Sequence, residues 1–128
     1  MIDLKLIEEK YPKAFECLRK WVEPKGDYDL IEKVLYLDHN NFTTISDYEF
    51  NGLIQDFFDD KKIFISVQSS RYRTDFIKDE IVHAFWRWVV SSAKEHGISN
   101  GYIDESRQES FEKGIDKCFE ILEKQLEA

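Results

Sequence analysis

The chain is poor in the residues that break or staple a backbone, with two prolines, five glycines and two cysteines among 128 residues. So little proline and glycine, beside 15% aromatic and 42% hydrophobic residues, excludes a disordered or low-complexity chain. Cys17 and Cys118 stand far apart, each on an expected helix stripe, and read as buried thiols rather than a disulfide or a metal pair. No apolar run approaches the ~20 residues that span a bilayer, and Met1 to Lys10 is too acidic and polar for a signal peptide. A cytoplasmic location is the expectation. Positive charge is also scarce: 18 basic residues face 26 acidic ones, for a net charge of -8. That mean field repels phosphate and argues against general binding to nucleic acid or anionic membrane.

Motifs that fix a reaction are missing as well. No serine lies in a Gly-x-Ser-x-Gly turn, and His39, His83 and His96 are too scattered for a ligand set. A nuclease-like Asp followed by Glu-x-Lys on the adjoining strand is absent, since that stretch reads Val67-Gln-Ser-Ser. The chain is therefore not expected to be an enzyme, and no cofactor or metal is expected. Asp56, Asp59 and Asp60 fall at i, i+3 and i+4, so on a helix they share a face. Three carboxylates there read either as a weak divalent-cation site or as a solvated helix end, and no second cluster completes an octahedral set.

What is present is helical periodicity. Ser106 and Glu109 have capping-box spacing and open a closing helix over 106–126, with Phe111, Ile115, Cys118, Phe119, Leu122 and Leu126 as its buried stripe. Glu112, Lys113, Asp116, Lys117, Glu120 and Glu123 fall largely opposite. Gly114 inside it costs ~1 kcal/mol against alanine, which predicts close packing at that point. Residues 3 to 22 carry a stripe of Leu4, Ile7, Tyr11, Ala14, Phe15, Leu18, Trp21 and Val22, and Pro12 predicts a break near Tyr11. Pro24 to Asp27 reads as a turn, and Tyr28 to Asp38 as a short helix or a buried strand. Turn residues from His39 lead to Ser46, which with Glu49 opens a helix through Phe50, Leu53, Ile54, Phe57 and Phe58, closed by Asp59 to Lys62. Ile63 to Gln68 is β-branched and aromatic and reads as a strand.

Thr74 to Gly97 decides the fold. Its local spacing suits a helix, but Phe85-Trp-Arg-Trp-Val-Val concentrates strand formers, with Trp86, Trp88 and Val90 on one face and Phe85, Arg87 and Val89 on the other. A lone strand at 63–68 also needs an edge to pair with, so the expectation is a second strand over Ile81 to Ser91.

The run Asp56-Phe-Phe-Asp-Asp-Lys-Lys-Ile-Phe-Ile-Ser-Val, then Trp86-Arg-Trp-Val-Val, then Ser106-Arg-Gln-Glu-Ser-Phe-Glu-Lys-Gly-Ile-Asp-Lys-Cys-Phe-Glu-Ile-Leu-Glu resembles a group of small uncharacterised bacterial proteins, often encoded near phage or mobile-element genes. The resemblance covers roughly residues 48 to 126, and the closing helix, with its Ser/Thr-Arg-x-Glu-Ala start, is the most specific part. It implies an α-β-β-α unit and brings no activity, substrate or site. Ser110 stands where alanine is usual in that group, and the stretch between the two strands is long. The expected fold is α+β: one domain with a helical extension over 1–45 and an α-β-β-α core over 46–128, a small antiparallel hairpin sheet packed by the long closing helix.

Charge divides along the chain. Residues 61–100 carry seven basic and four acidic residues, while both flanks are net acidic. Within that middle, Arg71, Tyr72, Arg73 and Arg87 are the candidate binding residues, because arginine interleaved with aromatics suits an acidic partner peptide or stacked bases. In the structural alternative the tryptophans are core and the arginines pair with the acidic helices. The functional expectation is a non-enzymatic interaction module that binds another protein or itself, with edge pairing across a homodimer completing the small sheet. The other reading is a nucleic-acid-associated accessory protein that uses the basic and aromatic segment 61–88.

Overall fold

In the computed structural model, which describes residues 3–25, 47–75, 80–92, 97–99 and 106–127, the amino-terminal stripe is divided by Pro12 as its missing amide requires. Helix α1 spans Leu4–Lys10 and α2 spans Pro12–Val22, with Tyr11 between them at φ -133° and ψ 66°. Asp3 caps α1 by accepting from the Leu6 amide at 3.2 Å. The Tyr11 amide closes α1 on the Ile7 carbonyl at 2.8 Å. Leu4, Ile7, Ala14, Phe15, Leu18 and Val22 are buried, while Tyr11 and Trp21 are half-buried. A 3-10 turn, Glu23–Lys25, follows.

Helix α3 spans Asp47–Asp60 and buries Phe50, Ile54, Phe57 and Phe58. Its carboxyl end turns on Lys62, whose amide donates to the Asp59 carbonyl at 3.1 Å with φ at +60°. Glycine is the usual residue in that left-handed position, and a lysine there costs on the order of 1 kcal/mol.

Strands β1 (Phe64–Asp75) and β2 (Glu80–Ser91) pair antiparallel, and a two-residue β3 (Ile98–Ser99) pairs with β2, giving the order β1-β2-β3. Helix α4, Arg107–Glu127, closes the fold. The architecture is thus α+β with an antiparallel sheet and a long closing helix. By backbone contacts the chain divides into two compact units, Met1–Lys62 with Phe119–Ala128, and Ile63–Cys118.

The first unit is built on aromatic rings. Trp21 meets Phe57 edge-on at 5.5 Å, Phe57 meets Phe58 at 5.0 Å, and Phe58 meets Phe119 at 4.9 Å. Phe119 in turn stacks on Tyr11 at 6.4 Å. Tyr11 offers α2 no side-chain cap, and Glu123 supplies one from α4: its carboxylate accepts from the Ala14 amide at 2.7 Å and the Lys13 amide at 3.2 Å. In the second unit α4 packs on the sheet through Gly114. A methyl there would sit 2.8 Å from the Cβ of Trp88, and nearer still to the end of Ile65. The predicted close approach is observed.

Several expectations need correction. The first strand runs on past Gln68 to Asp75, and β1 and β2 are separated by residues 76–79 alone, so the long stretch between strands is itself strand. The rival helix through Trp86 to Val90 is not formed, because pairing with β1 outweighs the local helical spacing. On α4, Glu123 is buried rather than outward, drawn in by the two amides it caps, and Leu126 is 39% exposed rather than buried, on the helix's last turn. Cys118 is buried but Cys17 only half so, and neither is in a disulfide. Ser106 Oγ accepts from the Glu109 amide at 3.0 Å as predicted, but the Glu109 carboxylate lies 3.3 Å from Lys113 Nζ instead of returning to the cap. The readings of residues 26–46, including the Ser46 cap and the helix-or-strand stretch Tyr28 to Asp38, lie outside the described residues.

Candidate functional site

The β1–β2 ribbon holds all four candidate residues. Its register is regular from Phe64 opposite Ser91 to Tyr72 opposite His83, then shifts after Tyr72 and again before Asp75. Alternation gives it two faces. Ile65 and Val67 lie opposite Val90 and Trp88, with Ile65 and Trp88 at Gly114 of α4. Phe64, Ser66 and Gln68 take the other face and are exposed, Phe64 by 49%.

Arg87 stands opposite Gln68 in the register. Its Nε and Nη2 both donate to Gln68 Oε1, at 2.9 and 2.6 Å. The amide oxygen thus orients the planar guanidinium fork on the face of the ribbon. Arg71 pairs with Ala84, Tyr72 with His83 and Arg73 with Ile81; these three are described by their backbone alone. The fold therefore brings the four residues onto one hairpin, Arg87 near its middle and the other three toward its tip. Gln68 and Phe64 were missed from the sequence, although the alternation of Ile63, Ile65 and Val67 with Phe64, Ser66 and Gln68 is the signal that separates them.

The acidic end of α3 belongs to the first unit. Asp60 Oδ2 accepts from the Trp21 indole at 2.6 Å, and Lys61 Nζ sits 5.8 Å from the centre of the Phe57 ring. Desolvation pushes the Asp59 carboxyl above its ordinary 3.8; the neighbouring Asp56 and Asp60 charges push it further, and Lys62 opposes them. Among the described residues no group of three or more His, Cys, Asp or Glu side chains is arranged to hold a metal ion. Nor is any helix among them long and apolar enough to cross a membrane. No family model, curated protein or solved structure matches the chain.

Proposed function

We propose that the chain is a non-enzymatic protein-protein interaction module whose contact element is the β1–β2 ribbon. The observation that carries this reading is the outward face of β1, where Phe64, Ser66 and Gln68 are all exposed, Phe64 by 49%. Aromatic side chains are enriched at the centres of protein interfaces, and an exposed one on a sheet face is a ready anchor. The basic excess of residues 61–100, within a chain of -8, adds a charge preference.

The double variant Arg71→Ala with Arg73→Ala tests it. A recognition role predicts an unchanged urea melt with loss of partner capture from cell lysate. An unchanged melt with an unchanged set of captured proteins would remove these arginines from the reading. Titration with DNA and RNA at several salt concentrations tests the competing class, since phosphate contacts give a steep salt slope. Tight binding with such a slope would replace the protein-binding reading by the nucleic-acid one.

A further inference from the structure

We infer that two copies of this chain exchange their amino-terminal segments, Met1–Lys62, by opening at Lys62, so that the closing helix of each copy completes the first unit of the other. This goes beyond the reading of the ribbon face and does not depend on it. Three observations carry it. The first unit is discontinuous in sequence, made of Met1–Lys62 and Phe119–Ala128, while Ile63–Cys118 forms the second. The chain therefore passes between units twice, once inside the helix α4 and once at Lys62. Hinges are loop or element-terminal residues, so the short connection from α3 to β1 is the place that can open. Lys62 in that connection is exposed and holds φ at +60°, alone among the described non-glycine residues in taking a positive φ. The strain of that conformation is released when the connection extends, and short connections under strain invite exchange. Finally, what α4 gives to the amino-terminal segment can come from either copy. The Glu123 carboxylate accepts from the Ala14 and Lys13 amides, and the Phe119 ring meets Tyr11 and Phe58. α2 has no side-chain cap of its own, so a segment opened at Lys62 stays incomplete until a Glu123 reaches it. Exchange restores each of these contacts and releases the strain at two hinges per dimer, which offsets part of the lost freedom of association.

The test refolds the full chain from urea at high protein concentration and follows the dimer by sedimentation velocity in native buffer. Wild type is compared with Lys62→Gly, which adopts positive φ freely, and with Lys62→Val, whose branched Cβ resists it. Dimer should increase in the order Lys62→Gly, wild type, Lys62→Val, with the first two about tenfold or more apart in association constant, because each dimer releases two hinges. A monomer in all three chains, or a dimer indifferent to residue 62, would overturn the inference. A second measurement shows what crosses between copies. In a dimer co-refolded from isotope-labelled and unlabelled chains, filtered NOE spectra should connect Phe119 of one copy with Tyr11 and Phe58 of the other. Phe119 contacts confined to one chain mark a surface dimer and also overturn the inference.

Discussion

Replacing Glu123 tests whether α2 and the closing helix α4 are tied by one carboxylate. The Ala14 bond is short and buried, and a hydrogen bond to a charged group in such a place contributes about 1.5–3 kcal/mol. The Lys13 bond is longer and only partly buried, so about 0.5–1.5 kcal/mol is appropriate. Glu123→Ala removes both acceptors and leaves two amides of the first turn of α2 uncapped, for an expected loss of about 2–4 kcal/mol. Glu123→Gln keeps the volume and one acceptor oxygen, turns a donor toward the other amide, and should cost about 1–2 kcal/mol. Glu120→Ala is the control, because Glu120 makes a half-exposed pair with Lys124 at 3.3 Å, worth well under ~1 kcal/mol. Urea melts followed by far-UV circular dichroism give the three numbers, with the slope m expected to stay constant. A Glu123→Ala loss no larger than that of Glu120→Ala would refute the cap.

Gly114→Ala should gain ~1 kcal/mol of helix propensity and lose about 1–3 kcal/mol to the clash with Ile65 and the Trp88 Cβ, so a net loss near 1 kcal/mol in urea melts is expected, and a gain would show that α4 stands off the sheet. Ser110 Oγ is buried and makes no hydrogen bond, so Ser110→Ala should stabilise by about 1 kcal/mol; a loss of that size would reveal a partner for the hydroxyl. Asp59 has a carboxyl raised above 3.8, so the folded state holds this proton more tightly than the unfolded chain and stability falls as pH rises from 3.8 through the folded value. Asp59→Asn should therefore stabilise at pH 7, by no more than about 0.5 kcal/mol at so exposed a position, with the gain vanishing below pH 3.8; an equal gain at acid and neutral pH would exclude a charge effect.

Local rules read well wherever one residue dominates the backbone. Pro12 placed the break at Tyr11, Ser106 placed the start of α4, and Gly114 announced a close approach. They failed where a remote partner decided the outcome. Ser69 to Asp75 has little strand character of its own and is strand because β2 lies alongside it. Glu123 looked like a solvated charge because periodicity assigns a face without knowing what is uncapped opposite it; the clue was the absence of Ser, Thr, Asp or Asn before Pro12. β3, two residues long, is below what any pattern can detect. For the site, the sequence supplied the charge of Arg71, Arg73 and Arg87, but only the register put Gln68 beneath the Arg87 guanidinium.

The dependence of α2 on α4 also has a consequence in time. Ala14 and the carboxylate that caps it are 109 residues apart, and Phe119, whose ring lies between Tyr11 and Phe58, is nearly as distant from its first partner. At about 5–20 residues per second, translation leaves roughly 5–20 seconds between the making of α2 and the making of its cap. During that interval Trp21 can already find Asp60, but the helix it stands on has a frayed first turn and an apolar face short of a ring. The first unit is thus begun early in synthesis and finished only when the closing helix arrives, and in the interval its exposed apolar face is what a chaperone would hold.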